Sequence, residues 1–140
     1  MKLETIKGMS LKSLSLSDVP SITKNSTLLD YLRLVGEKRC YFCIVEGSTD
    51  SVKVIQYEQV LDYLTRKKKI NLGEIKVKEI MGDIKNYPFA RETDTISSVR
   101  KRFLEHRFLQ SLLIFDEEDK VIGTLGRKDL AYQIMKLSGI

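Results

Sequence analysis

The residues best suited to chemistry stand where an apolar run meets a helical pattern. Residues 121–125 are apolar and strand-like, and Leu130 and Ile134 follow at helical spacing. Between the two patterns come Gly126, Arg127, Lys128 and Asp129. A helix start leaves backbone N–H groups unpaired and carries partial positive charge, so it favours anions. The stretch therefore predicts an anion-binding site at the first turn of a helix.

Cys40 and Cys43 form the other pair of side chains with reactive chemistry. A structural zinc site needs four ligands, and His106 is the single histidine of the chain. The pair also lies in a strand-like run, where a separation of three residues places side chains on opposite faces. We therefore predict core or edge cysteines and no metal site.

His106 is the only histidine available to a catalytic triad. It stands among Arg102, Glu105 and Arg107, a pattern typical of a solvated helix end. Residues 116–119 are acidic but lack the ligand spacing and central glycine of an EF-hand, so we interpret them as a turn. We predict no catalytic residues, and hence a protein that is not an enzyme.

Length and composition indicate one compact globular domain. The chain has 140 residues, of which 42% are apolar and 31% charged. No apolar stretch is long enough to span a membrane, and the N-terminus has no signal-peptide pattern, so we expect a cytoplasmic protein with no membrane partner. The net charge of +5 favours an anionic partner without naming one.

The order of elements repeats once along the chain. Each half reads as extended segment, helix, strand, turn, strand and helix. Lys53 corresponds to Gly123 and Val60 to Leu130 at one constant separation, and the preceding helices correspond at nearly the same one. The opening segments, residues 17–19 and 78–80, correspond at a shorter separation. Two such copies predict a pseudo-two-fold α+β fold with a cleft between the halves.

This repeat divides the chain into four predicted parts. They are an N-terminal arm (residues 1–13), a first repeat (14–69), a connector (70–75) and a second repeat (76–140).

Three pieces of sequence resemble a known family. Residues 77–81 (VKEIM), with residues 16–20 (LSDVP) as their counterpart, are similar to a V-x-[DE]-[IV]-M opening. Residues 93–96 (TDTI) are similar to an acidic, threonine-rich helix start. Residues 111–130 are similar to a strand, acidic turn, G-x-x-[TS]-x-x-D and helix signature. Together they resemble a tandem pair of cystathionine-β-synthase (CBS) domains, the Bateman module.

The resemblance implies a fold and a function. The fold would be two βαββα repeats with their sheets packed together, and such pairs commonly form homodimers. The cleft would bind AMP, ADP, ATP or S-adenosylmethionine, and the module would regulate a partner protein, here unknown, by an allosteric change. No cofactor would be required.

The resemblance also implies roles for the residues at the helix start. Asp129 would accept hydrogen bonds from ribose hydroxyls. Gly126 stands at the position of the family hydroxyl, which removes one phosphate ligand and leaves the backbone amides accessible. Arg127 and Lys128 would supply phosphate contacts instead, although both could equally point to solvent.

An adenine slot is implied on the short extended segments before the first helix of each repeat. In the second repeat the slot would be formed by Phe89, Ala90 and Arg91, and in the first by Ile22 and Thr23. Alternatively, Phe89 is an aromatic residue of the core and does not stack on a base.

The first repeat departs further from the family pattern. Gln56 and Gln59 stand at the hydroxyl and acid positions. Because Gln59 cannot act as an ionised ribose acceptor, we expect this half-site to be weak or empty, with Gln59 at best a helix cap.

Three functional hypotheses follow. The first is a regulatory module that senses an adenine nucleotide. The second is a dimerisation or protein-interaction module whose clefts no longer bind ligand. The third, which we consider weaker, is nucleic-acid binding through the basic residues of 66–69 and 100–107.

Overall fold

The computed structural model describes residues 1–38, 42–47, 52–67, 69 and 71–139. The chain divides into two compact units. The first-repeat unit is Val19–Tyr87, and the second-repeat unit joins Met1–Asp18 to Pro88–Ile140. No helix of the described ranges is long and apolar enough to cross a membrane.

The helices are α1 (Leu3–Gly8), α2 (Leu28–Lys38), α3 (Tyr57–Thr65), α4 (Ile96–Glu105) and α5 (Arg127–Leu137). The strands are β1 (Ser21–Thr23), β2 (Phe42–Glu46), β3 (Lys53–Gln56), β4 (Gly82–Asp83), β5 (Phe89–Arg91), β6 (Ser111–Phe115) and β7 (Val121–Gly126). Short 3₁₀ turns lie at Leu11–Ser13, Val77–Glu79 and Ile84–Asn86.

The first-repeat unit contains a mixed sheet with the strand order β1-β2-β3-β4. β1 is parallel to β2, and the other neighbours are antiparallel. α2 begins after Thr27, whose hydroxyl accepts from the Asp30 N–H while the Asp30 carboxylate accepts from the Thr27 N–H. The hydrogen bond from the Thr27 N–H to the carboxylate is the main cause that lowers the pKa of Asp30, and interaction of the carboxylate with the Thr27 hydroxyl lowers it further. Cys43 is buried in this core, as predicted, and Cys40 lies outside the described residues.

The second-repeat unit contains a sheet with the order β5-β6-β7, in which β5 is parallel to β6 and β6 antiparallel to β7. The start of the chain completes its core, because Ile6 and Leu11 are buried against it. Ser17 adds an isolated antiparallel bridge to Thr124 at the outer edge of β7. A Cβ on Gly123 would stand 2.8 Å from both the Leu16 Cβ and the Ser17 carbonyl oxygen, so this close approach requires glycine.

The repeat predicted from the sequence is present in the element order. Each repeat reads strand, helix, strand, strand, helix. The first helices of the two repeats begin at Leu28 and Ile96, and the second helices begin at Tyr57 and Arg127. The α+β fold class is therefore confirmed. The domain boundaries at residues 13, 69 and 75 stay a prediction.

The opening segments correspond differently from the prediction. The Leu11 N–H donates to the Asp94 carbonyl and the Val77 N–H to the Ser26 carbonyl, and each begins a 3₁₀ turn. Leu11 is therefore the counterpart of Val77, and the predicted pairing of residues 17–19 with 78–80 is wrong. Leu11 and Val77 are both buried, which supports their correspondence. The residues around Leu11 are polar, so the sequence did not reveal this correspondence.

Candidate functional site

α5 begins directly after a glycine whose backbone is extended. Gly126 ends β7 and is the N-cap of α5, with φ −82° and ψ 153°. A Cβ placed on Gly126 would lie 3.8 Å from the Gln110 carbonyl oxygen and 3.9 Å from the Asp129 Cβ, which are ordinary contacts. The site therefore has room for a hydroxyl side chain, although it carries none.

Arg127 turns away from the helix start and binds the end of α4. Its Nε donates to the Leu109 carbonyl at 3.0 Å, and one terminal nitrogen donates to the carbonyls of Phe103 and His106 at 2.6 and 2.7 Å. The guanidinium also lies 5.2 Å from the centre of the Phe103 ring. A cation at the last carbonyls of a helix is favourable. These contacts argue against a role for Arg127 as a phosphate ligand.

Lys128 and Asp129 differ in their surroundings. Lys128 is exposed and forms no ion pair with the part of the chain that the structure describes. Asp129 is half-buried, and its Oδ2 accepts from Gln133 Nε2 at 3.0 Å. The Gln133 amide also binds the backbone N–H and carbonyl of Ser15, each at 2.8 Å. Gln133 thus holds the Asp129 carboxylate in a fixed position beside the start of the chain.

Asp129 opens onto a groove of about 270 Å³. The groove is lined by Ser13, Ser15, Asp129, Tyr132, Gln133, Lys136 and Leu137. Asp129 is the only one of these residues that the sequence analysis selected. Tyr132, Gln133 and Lys136 follow it at spacings that share one helix face, but the spacing does not show that this face borders a groove.

The residues predicted for the adenine slot in the second repeat lie in different surroundings. Phe89 is exposed on one side and packs edge-to-face on Phe115, with ring centres 5.2 Å apart. Its carbonyl accepts from Arg102, whose guanidinium also binds Asp94. Ala90 is buried. The Phe89 side chain is therefore partly accessible, but its carbonyl is already bonded.

Phe89 and Arg91 share one face of β5 but lie at different registers. Phe89 pairs with Leu113 in the middle of β6, Arg91 pairs with Phe115 at its end, and Gly126 pairs with Ser111 at its start. The Arg91 guanidinium binds the carboxylate of Asp119. Thus Phe89 lies nearer than Arg91 to the register of Gly126.

The residues predicted in the first repeat belong to the other unit. Ile22 is buried in its core. Thr23 is exposed, and its hydroxyl shares a hydrogen bond of 2.7 Å with the Ser26 hydroxyl.

The equivalent helix start in the first repeat has different chemistry. Gln59 Oε1 accepts from the Gln56 N–H at 2.9 Å, so Gln59 caps α3 as expected. At the positions of Tyr132 and Lys136 stand Asp62 and Arg66, which form an ion pair of 3.1 Å. The carboxylate that would bind ribose is absent from this helix position. The groove here, of about 500 Å³, is lined by Tyr63, Lys67, Lys69, Asn71, Glu74, Ile75 and Glu79.

His106, which the sequence analysis placed at a solvated helix end, lies in that position. His106 is exposed at the end of α4, where its carbonyl accepts from Arg127. Within the described ranges, no group of three or more His, Cys, Asp or Glu side chains is placed to hold a metal ion.

One family model matches the chain. Residues 77–136, which include β5 to β7 and most of α5, match the CBS domain model. No protein of curated function matches the chain in sequence.

Solved structures match over nearly the whole chain. CBSX2 in complex with AMP has a TM-score of 0.69 and 19% identity, with 94% of this chain and 99% of that chain covered. A CBS domain-containing protein of unknown function from Bacillus anthracis has a TM-score of 0.73, 17% identity, and 96% and 99% coverage. A hexameric CBS-CP12 protein from bloom-forming cyanobacteria has a TM-score of 0.70, 16% identity, and 90% and 68% coverage. The predicted resemblance to tandem CBS-domain proteins is confirmed.

Proposed function

Residues 77–136 belong to the CBS domain family, and from this premise we propose that the chain is a regulatory module that binds an adenine nucleotide. The AMP bound to CBSX2, a protein of the same fold, supports this choice of ligand class. The module performs no chemistry of its own and requires no cofactor. Binding shifts the population of conformations and thereby controls a partner protein.

The observation that carries the proposal is the setting of Asp129. Its carboxylate is half-buried, fixed by Gln133 and open to a groove. A carboxylate accepts hydrogen bonds only, which suits the paired hydroxyls of a ribose. Because Gln133 already fixes the carboxylate, binding does not lose the side-chain entropy that ordering a free carboxylate would cost. We assign the ribose to Asp129.

The phosphate is assigned to the first turn of α5. The helix start carries partial positive charge, and Gly126 presents no side chain that covers it. Lys128 is exposed and adds a mobile cation. Arg127 contributes indirectly, because it anchors the end of α4 beside this turn.

The base has candidates in both repeats. From β5, Phe89 is the remaining candidate, because its side chain is partly accessible. Ile22 and Thr23 are the candidates from the first repeat.

The proposal is tested by titrating the folded protein with AMP, ADP, ATP and S-adenosylmethionine in thermal-shift and calorimetric measurements. Asp129→Asn keeps an oxygen that accepts from Gln133 but removes the charge, so we expect the affinity for AMP to fall by roughly tenfold or more. Gln59→Ala changes the equivalent position of the first repeat and should leave the affinity within about twofold of the wild type. If the folded wild type responds to none of the four ligands, nucleotide sensing is excluded.

A second function is favoured by one surface. Leu104 and Phe108 are 61% and 85% exposed near the end of α4, which is unusual for neighbouring apolar side chains. We propose that this surface forms a homodimer contact, and a protein-interaction role would then remain if nucleotides fail to bind. Phe108→Ser should convert the dimer to monomer in light scattering. A wild-type monomer, or a variant that remains dimeric, would exclude this contact.

A further inference from the structure

We propose that the base of the bound nucleotide lies on Tyr132, in the groove along α5, and not on Phe89. This assignment rests on the proposed function, because it places the base relative to a ribose held by Asp129. It adds Tyr132 and Lys136 to the binding site and makes α5 the element that recognises the whole ligand.

The first support is the order of groups along one helix face. From its N-terminus onward, α5 presents Asp129, then Tyr132 and Lys136, and these three residues line the groove. A nucleotide has the same order of phosphate, ribose and base. Tyr132 and Lys136 stand three and seven residues after Asp129, so all three lie on one side of the helix. The helix rises about 1.5 Å per residue along its axis. A nucleotide laid along the helix therefore brings its base to Tyr132.

The second support is the exposure of the Tyr132 ring. The side chain is 59% exposed although it is large and largely apolar. Lys136 Nζ lies 5.3 Å from the ring centre. Lys136 is exposed and forms no ion pair among the described residues, so its long side chain can move aside or donate to ring nitrogens of a base. An accessible aromatic face beside a mobile donor suits a purine.

The third support is the polar lining opposite Tyr132. Gln133 is fixed by its bonds to Ser15 and Asp129, so it forms a rigid wall rather than an adaptable contact. The side chains of Ser13 and Ser15 line the same groove. Hydroxyls can donate or accept, which allows them to meet either the amino group or the ring nitrogens of adenine.

The fourth support is the poorer fit of β5. The Phe89 ring packs against Phe115, and the Phe89 carbonyl is already bonded by Arg102. Ala90 is buried, and the Arg91 guanidinium is engaged in an ion pair with Asp119. β5 therefore offers a partly accessible aromatic side chain and no free polar side chain, whereas the α5 groove offers both.

The experiment compares three variants against two probes, AMP and ribose 5-phosphate, by calorimetry. Tyr132→Ala should weaken AMP by roughly five- to twentyfold, since stacking on an aromatic ring contributes this order of affinity per base. Tyr132→Phe, which keeps the ring, should bind AMP like the wild type. Phe89→Ala should also bind AMP within about twofold of the wild type. Ribose 5-phosphate lacks the base, so its affinity should be the same in all of them.

Each other outcome overturns a definite statement. If Tyr132→Ala binds AMP as tightly as the wild type does, the base is not on Tyr132. The same holds if Phe89→Ala is the variant that loses affinity for AMP. In both cases the proposed function stands. If Tyr132→Ala weakens ribose 5-phosphate as much as AMP, Tyr132 acts on the groove as a whole and the assignment of the base fails. If neither probe binds the folded wild type, the proposed function and this assignment fail together.

Discussion

The second helices of the two repeats, α3 and α5, occupy equivalent positions but carry different side chains toward their grooves. On α5, the groove face carries Asp129, Tyr132 and Lys136. On α3, the equivalent positions are Gln59, Asp62 and Arg66, in which Gln59 caps the helix and the other two pair with each other. In the second repeat the polar groups are left open toward a groove, whereas in the first they satisfy one another. A repeat can therefore keep its fold while the polar side chains at its second helix change from open to a groove to bonded with one another.

The two sheets also receive their edge segments differently. In the second-repeat unit, Gly123 on β7 allows Leu16 and Ser17 to approach. In the first-repeat unit, the glycine stands on the added strand instead, since a Cβ on Gly82 would lie 2.7 Å from Gln59 Nε2. Lys53, at the position equivalent to Gly123, forms an ion pair with Asp83. The two edge contacts therefore differ, because Gly123 faces atoms of the edge segment itself and Gly82 faces the ends of the Gln59 and Tyr87 side chains.

The largest effect that we expect concerns Arg127. The first repeat has Tyr57 at the equivalent position, so it has no guanidinium there. Arg127→Met removes the charged hydrogen bonds to the carbonyls of Phe103, His106 and Leu109. We expect the free energy of unfolding to fall by about 2 to 3 kcal/mol, measured by urea denaturation.

Lys128→Met is the matched control, because Lys128 is exposed on the same turn. It should change stability by less than about 0.5 kcal/mol. If both variants are equally stable, Arg127 does not anchor α4 and is available for a phosphate after all.

The next effect tests the edge segment. Gly123→Ala brings a methyl group to 2.8 Å from backbone and side-chain atoms of residues 16 and 17. We expect a loss of about 2 kcal/mol on urea denaturation, as for overpacked sites. Gly126→Ala, which meets nothing closer than 3.8 Å, should cost less than about 1 kcal/mol, the difference expected between glycine and alanine at an N-cap. Equal stabilities would show that the 15–18 segment does not pack tightly on β7.

Much of this architecture was predictable from the sequence. Helix starts were found at the right separation because apolar periodicity and capping residues are local signals. Asp129 and the altered pair Gln56 and Gln59 were identified because a helix-start motif is also local. The register of residues 11–13 was missed because it depends on a hydrogen bond from Leu11 to Asp94, which lies far away in the sequence.

The site was predicted less completely than the fold, for the same physical reason. The sequence suggested Arg127 as an anion ligand because cations at a helix start have an obvious use. Its actual partners are carbonyls at the end of α4, and no pattern around residue 127 indicates them. Tyr132 and Lys136 were overlooked because helical spacing alone does not show which face of α5 borders a groove.

The smallest effect sharpens the comparison of the two helix starts. Gly126→Ser restores a hydroxyl at a position with room for it, so we expect a few tenths of a kcal/mol of added stability. The hydroxyl can also donate to the phosphate, and AMP should bind roughly fivefold more tightly in calorimetry. Gln56→Ser in the first repeat should leave AMP affinity unchanged. Equal gains from both variants would mean that both repeats bind ligand.

The central claim is that only the second repeat carries a nucleotide half-site. The most direct test is the stoichiometry of AMP binding to the wild-type chain, measured by calorimetry at a protein concentration well above the dissociation constant. The account predicts one AMP per chain. Two AMP molecules per chain, or one that is retained with unchanged affinity in Asp129→Asn, would contradict it.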